Sequence, residues 1–222
     1  LGGSLPNDVF TEVLGLPTLS PDAARALAEF KGGRLTLDRL QKIDAETAAA
    51  LAGFQGKELS LTGLTALAAG AAQSLAASPA WNGRLPNVRA IDAAAARALA
   101  DGDRRELQLG VERLDAATAK ALAAFKGEHV YLRLRTLDAG TAGALAEFQG
   151  GQLWLSGLNT LDADAARALA AFQGEQLGLP TLMTLAADAA RALVAFKGDN
   201  LILYALGSQG PLDADMIAAL AE

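Results

Sequence analysis

Aromatic side chains recur at spaced positions in the second half of a chain of which only 5% of residues are aromatic. Tyr131 and Trp154 lie 23 residues apart, and Tyr204 follows 50 residues later. Polar and apolar residues stand next to these positions: His129, Arg133, Gln152, Gln176 and Ile202. Trp, Tyr and Arg contribute most of the binding energy at protein interfaces. These residue types therefore point to the binding of a partner.

Groups suited to catalysis are scarce. His129 is the only histidine and there is no cysteine, which excludes disulfides and thiol nucleophiles and makes a zinc site implausible. No Gly-x-Ser-x-Gly or phosphate-binding motif occurs. Most carboxylates stand at predicted helix starts, where capping explains them. We expect no enzyme activity, no metal and no cofactor.

The chain repeats itself nine times with a period of 23 or 24 residues. Self-similarity at this period predicts a solenoid, in which each unit buries its apolar face on its neighbours. We expect residues 1–10 to be an N-terminal cap or remnant and residues 11–222 to form the solenoid. The repeats start at Thr11, Leu35, Leu59, Gly83, Leu107, Val130, Leu153, Leu177 and Leu201.

Each repeat changes its hydrophobic period partway through. Alternation such as Leu153-Trp154-Leu155 predicts a strand, and Ala and Leu at i, i+3 and i+4 in the second half predict a short helix. One strand and one helix per unit give an α/β solenoid. We expect a parallel sheet on the concave face and helices on the convex face, because helices are wider than strands.

Capping residues and a Phe-x-Gly motif mark the ends of each predicted helix. Glycine is expected to adopt the positive φ that ends a helix, and the ring of a residue such as Phe172 to fill the core beneath. The motif occurs at Phe30, Phe54, Phe125, Phe172 and Phe196. The residues before the helices are Ser20, Asp44, Asp92, Asp115, Asp138, Asp162 and Asp213, with Ala68 and Ala186 in the other two repeats.

The segment from Leu153 to Asp162, followed by Leu169-Ala170, carries a family resemblance. It resembles leucine-rich repeat proteins, most closely the cysteine-containing subtype, with Leu or Val at the cysteine position. The Ala-rich version is similar to repeats in uncharacterised bacterial proteins, including planctomycete ones. The asparagine ladder of many such repeats is absent. The resemblance implies a parallel sheet lining the concave face and the binding of other proteins.

Residues between the strand leucines should point to the concave surface. Outward rows of the last four repeats bring together what we call the aromatic patch: Tyr131, Trp154, Ile202 and Tyr204, flanked by His129, Arg133, Gln152 and Gln176. Gly178 beside Trp154 leaves room for a partner side chain or for the indole itself. The patch is predicted to bind a partner; the alternative is that its large side chains only stabilise the sheet by cross-strand packing.

Two further irregularities have a structural and a functional interpretation. Phe-x-Gly is missing before the fourth and fifth repeats, where Trp81, Arg104 and Arg105 occur. These residues form a second contact site, or Trp81 turns inward to fill the missing volume, which we favour. Asp-Ala-Ala-Arg recurs on helices, as at Asp164 and Arg167, and predicts solvated ion pairs on the convex face.

Composition narrows the partner class. A net charge of −6 disfavours a nucleic acid partner. The sequence contains no unbroken run of about 18 apolar residues, so no membrane span is predicted. The leading hypothesis is a non-enzymatic protein-binding scaffold that uses the concave sheet face of the C-terminal repeats. The alternative is a structural spacer or assembly module of a longer protein, with end-to-end self-association through exposed terminal repeats. A carbohydrate over Tyr131 and Trp154 is a third interpretation.

Overall fold

A computed structural model describes residues 17–208 and shows an α/β repeat solenoid. Strands and helices alternate along the chain as the change of period predicted. The helices are α1 (Pro21–Ala28), α2 (Ala45–Ala52), α3 (Ala69–Ala77), α4 (Ala93–Ala100), α5 (Ala116–Ala123), α6 (Ala139–Ala146), α7 (Ala163–Leu169) and α8 (Ala187–Val194). The strands are β1 (Arg34–Thr36), β2 (Glu58–Ser60), β3 (Arg84–Leu85), β4 (Glu106–Leu109), β5 (His129–Arg133), β6 (Gln152–Ser156), β7 (Gln176–Gly178) and β8 (Asn200–Ile202).

The strands pair in parallel and in chain order except between β2 and β3, and each helix packs on the helices before and after it. Strands lie about 4.8 Å apart, whereas packed helices are about 8–10 Å apart. The sheet therefore occupies the concave side. One buried core runs between the two layers and is made of the strand leucines, the inner helix residues and the Phe rings.

Side-chain caps fix the helix starts. Ser20 or an aspartate accepts a hydrogen bond of 2.7–3.3 Å from the backbone N–H three residues later at the starts of α1, α2, α4, α5, α6 and α7. Ala68 and Ala186 give α3 and α8 no such bond. Asp213, the predicted cap of the ninth repeat, lies outside the described residues.

The glycine of Phe-x-Gly acts through its missing Cβ, which corrects the expectation of a positive φ. Among the described residues only Gly83, Gly157 and Gly207 have a positive φ. A Cβ on Gly174 would lie 2.2 Å from Cζ of Phe172 and 2.5 Å from the carbonyl oxygen of Gly150. The Phe ring and the backbone of the preceding repeat thus fill the space that a side chain would need.

The same rings stack along the core and tie the repeats together. Phe148, which forms a further Phe-x-Gly motif with Gly150, stacks on Phe172, and Phe172 stacks on Phe196. In both pairs the ring centroids lie 6.1 Å apart and the planes are within 4° of each other. The predicted burial of Phe172 is confirmed, since none of its surface is exposed. Aromatic pairs of this kind add about 0.5–1.5 kcal/mol each beyond their buried area.

The stack is interrupted between β2 and β4, where the sheet also divides. Ser78 and Gly102 take the place of the missing rings, because their N–H groups donate to Leu75 and Leu99 as that of Phe54 donates to Leu51. The sheet consequently splits into a two-stranded part, β1–β2, and a six-stranded part, β3–β8.

At this break Trp81 enters the core, as expected from the missing Phe. It is 1% exposed and pairs with Leu59. Equal repeat spacing would instead place Gly83 opposite Leu59. Two extra residues are accommodated before Leu85, and Gly83 adopts a φ of 77°. Trp81 therefore takes the place of the first strand leucine opposite Leu59, whereas the pairing of Arg84 with Gln108 keeps Gly83 level with Leu107, as the repeat spacing predicts.

Arg104 holds the break closed. Its guanidinium carbon lies 4.7 Å from the centroid of the Trp81 ring, and its nitrogens donate to backbone oxygens of Leu75, Ala76, Ser78 and Trp81. Burial lowers the pKa of Arg104, opposed by the nearby charge of Asp103. The side-chain Oγ of Ser78, Nε1 of Trp81 and Nε of Arg104 are buried without a hydrogen-bond partner, so this repair carries a cost.

Gly174→Ala is expected to lower the free energy of unfolding by about 1–3 kcal/mol, because the new methyl group overlaps Phe172 and the Gly150 carbonyl. Gly33→Ala is the matched control, since a Cβ at Gly33 has no heavy atom within 4 Å. Urea unfolding followed by circular dichroism measures both. Equal losses in the two variants would contradict the role of the missing Cβ.

Arg104→Ala is expected to cost about 2–5 kcal/mol, since it removes charge-assisted hydrogen bonds and a cation–π contact. Arg104→Lys should recover little of this, because an ammonium group lacks the planar fork. The neighbouring Arg105 is exposed and pairs with Glu128 at 2.7 Å, so Arg105→Ala should change stability by less than about 1 kcal/mol. The same urea experiment tests all three, and an Arg105 effect as large as that of Arg104 would refute the assignment.

The aspartate caps predict a loss of stability in acid. Backbone N–H groups of Thr47, Thr118 and Thr141 lower the pKa of Asp44, Asp115 and Asp138. Since the folded pKa lies below the unfolded value of about 3.9, the ionised caps stabilise the fold above that pH. This contribution is lost as the pH falls through the folded pKa.

The triple variant Asp44→Asn, Asp115→Asn and Asp138→Asn tests this, because asparagine still accepts the cap hydrogen bond but does not titrate. We expect the urea midpoint of the wild-type chain to fall between about pH 5 and pH 2, and that of the variant to fall less. Parallel curves would show that these caps are not the source of the acid sensitivity.

Candidate functional site

Strand register aligns the outward residues into rows across the sheet. In the middle row, Gln108 pairs with Tyr131, Tyr131 with Trp154, Trp154 with Gly178, and Gly178 with Ile202. The row on the side where the strands begin is Glu106, His129, Gln152, Gln176 and Asn200. Both rows match the order expected from the repeat spacing.

Tyr131 and Trp154 form a half-buried pair at the centre of the aromatic patch. Their ring centroids lie 6.2 Å apart with planes 20° apart, and His129 approaches Tyr131 at 6.4 Å in a tilted arrangement. The indole N–H donates to Oε1 of Gln152 at 3.2 Å. The pair therefore has cross-strand contacts and also keeps part of its surface open to solvent.

Gly178 makes room for the indole itself. A Cβ at this position would lie 2.3, 2.6 and 2.9 Å from three atoms of the Trp154 ring. The ring thus packs on the backbone of β7, and the alternative of free space for a partner side chain at Gly178 is not what the structure shows. Any larger residue at 178 would displace the indole.

The other predicted members of the patch are placed less closely together. Ile202 lies across Gly178 from Trp154 and is half-buried. Tyr204 follows β8, is 75% exposed, and stacks on no ring within the described part of the chain. Gln176 pairs with Gln152 in the strand register. The structure thus joins His129, Tyr131, Trp154, Gln152 and Gln176, and leaves Tyr204 at the margin.

A small cavity of about 180 Å³ opens beside Tyr131 between β4, β5 and β6. Gln108, Tyr131, Arg133 and Ser156 contribute polar groups to its lining. Ser156 donates to the carbonyl oxygen of Leu132. Burial, followed by the nearby charge of Glu106, raises the pKa of Tyr131 against the opposing charge of Arg84. The phenol is therefore protonated, and able to donate, throughout the neutral pH range.

Sequence reasoning missed an ion-pair ladder on the edge where the strands end. Glu112 binds Arg135 at 2.8 Å and Arg89 at 3.0 Å. A hydrogen bond from Arg135, and then the charges of Arg135, Arg89 and Arg133, lower the pKa of Glu112. The signal was present, because Arg89, Glu112 and Arg135 follow one another at the 23-residue repeat spacing.

The second predicted contact site is not available as proposed. Trp81, Arg104 and Arg105 do line a shared cavity of about 550 Å³, so the two loops meet at one edge as expected. Trp81 itself is buried, however, and Arg104 is engaged with backbone oxygens. This region is a structural repair of the missing Phe rings.

The expected ion pairs on the helices are only partly present. Asp22 pairs with Arg25 at 2.5 Å and Asp164 with Arg167 at 2.6 Å, both on exposed side chains. Within residues 17–208, no group of three or more His, Asp or Glu side chains is arranged to hold a metal ion.

The chain matches no protein-family model and no curated protein. Each helix within residues 17–208 falls short of the length and apolar character that a bilayer span needs.

Proposed function

We propose that the protein is a non-enzymatic binding scaffold that holds a protein partner on the concave sheet face of its C-terminal repeats. The observation that carries this proposal is the Tyr131–Trp154 pair, which is only half-buried and stands in the middle of β4–β8. Partly exposed Tyr and Trp on a rigid sheet bury their remaining aromatic surface on binding and lose little side-chain entropy. The repeat spacing and resemblance further lead us to propose membership of the leucine-rich repeat proteins.

Unused hydrogen-bonding groups around the pair support the same proposal. Gln108, Gln176 and Asn200 make no side-chain hydrogen bond within the described residues, and Gln152 uses only its oxygen, in the bond from Trp154. Buried interfaces need such groups to satisfy the polar atoms of the partner. If Tyr131 and Trp154 served cross-strand packing alone, the sheet would not need unbonded amides around them.

The two alternatives have less support. A sugar ring would stack on an open aromatic face, but ring atoms of Trp154 already pack on Gly178. The structural spacer remains a competing proposal, since the Tyr131–Trp154 pair also stabilises the sheet by cross-strand stacking. The repeat ends that would mediate its self-association lie largely outside residues 17–208.

Trp154→Ala is expected to weaken partner binding at least about 30-fold, as truncation of an interface hot spot does. Gly178→Ala should weaken partner binding as well, because the new methyl group moves the indole out of position although Trp154 itself is retained. Proteins captured from a lysate of the source organism are identified, purified and titrated by calorimetry against each variant. Thermal unfolding shows that the variants are folded.

Arg167→Ala, on the exposed face of α7, is the control and should bind like the wild-type chain. The proposal fails if Trp154→Ala and Tyr131→Ala both fold and bind every identified partner with unchanged affinity. Light scattering over a concentration series measures self-association and so tests the alternative that the protein is a structural spacer. End-to-end association that persists in Trp154→Ala, without any partner, would favour that alternative.

A further inference from the structure

The outward positions of β5–β8 carry no carboxylate, although the net charge of the chain is −6. Arg133 is the one arginine among them. Because these outward positions lack Asp and Glu, this face does not repel a negatively charged partner as the rest of an acidic protein would. The outward residues of these strands are His129, Tyr131, Arg133, Gln152, Trp154, Ser156, Gln176, Gly178, Asn200 and Ile202.

Arg133 has no carboxylate of its own. Its side chain is exposed and makes no hydrogen bond or ion pair with the described residues. Its charge helps to lower the pKa of Glu112, and that carboxylate is already bound by Arg135 and Arg89. Two other guanidinium groups therefore hold Glu112, and Arg133 is left with one unpaired positive charge among the described residues.

The cavity beside Tyr131 places this charge next to neutral hydrogen-bonding groups. Among the described residues that line it, Arg133 is the only charged one, and the Gln108 amide and the Tyr131 phenol lie beside it. Its volume of about 180 Å³ accommodates one short acidic side chain. Gly110 packs so closely on Pro86 that a Cβ there would lie 1.9 Å from the Pro86 oxygen, which makes this wall rigid.

We propose that this cavity receives the carboxylate of an aspartate or glutamate on the partner, with Arg133 as its ion-pair donor. The inference rests on the proposed function and names the chemistry that the partner presents next to Trp154. Guanidinium binds carboxylate through two parallel hydrogen bonds. One positive charge in the lining balances one carboxylate, whereas a phosphate of charge about −1.5 to −2 would remain partly uncompensated.

Titration of the ¹⁵N-labelled chain with acetyl-Gly-Glu-Gly-amide, followed by NMR, tests the inference. The Glu peptide should shift the backbone signals of Leu132, Arg133 and Ser156, and the isosteric Gln peptide should shift them far less. Arg133→Gln should weaken binding of the Glu peptide about tenfold or more. Arg113→Gln is the matched control, because Arg113 is also exposed but does not line the cavity.

Equal shifts from the Glu and Gln peptides would overturn the inference. So would unchanged binding in Arg133→Gln, or stronger shifts of the same signals by methyl phosphate. The partner identified through Trp154 separates the two proposals. If its binding depends on Trp154 but not on Arg133, only the carboxylate inference fails; if it does not depend on Trp154, the proposed function fails.

Discussion

The contact between each Phe ring and the glycine two residues later sets the distance between neighbouring repeats. At Phe172 and Gly174 the ring and the carbonyl of the preceding repeat occupy the place of a Cβ. Any side chain there would push the two repeats apart, and the shift would be transmitted along the core because interiors are close-packed. Stacked rings on one side and paired strands on the other thereby fix the strand register. The alignment of every outward row depends on that register.

The break near Trp81 shows what happens when this contact is missing. Without Phe at positions 78 and 102, the strand pairing slips and the sheet divides. The Trp81 indole and the Arg104 guanidinium fill the break, and Arg104 donates to backbone oxygens at the end of α3. Three polar atoms are nevertheless left buried without partners, each at a cost of about 1–3 kcal/mol. The solenoid tolerates this loss because each repeat interacts mainly with its nearest neighbours.

On the concave face, as in the core, an aromatic ring packs against a glycine. Phe172 packs on a glycine of its own repeat, whereas Trp154 packs on Gly178 of the next strand. In both cases an absent Cβ lets an aromatic ring lie against backbone. The rigid sheet then carries Tyr131 and Trp154 in fixed positions beside Arg133, which forms an ion pair with no carboxylate of residues 17–208. A pre-organised aromatic surface next to an unpaired charge is well suited to recognising an acidic segment.

The sequence by itself determined the repeat, the order of strands and helices, the caps and the outward rows. These are local properties, because hydrophobic period and capping chemistry act over a few residues and recur nine times. Only the tertiary structure showed why glycine follows Phe and that Trp81 replaces a strand leucine. It also showed that the indole of Trp154 fills the space above Gly178 and that Tyr204 lies apart from the other aromatic rings. Each of these depends on the volume left by a neighbouring repeat. A single sequence shows which residues alternate, but the fit between adjacent units appears only when they are stacked.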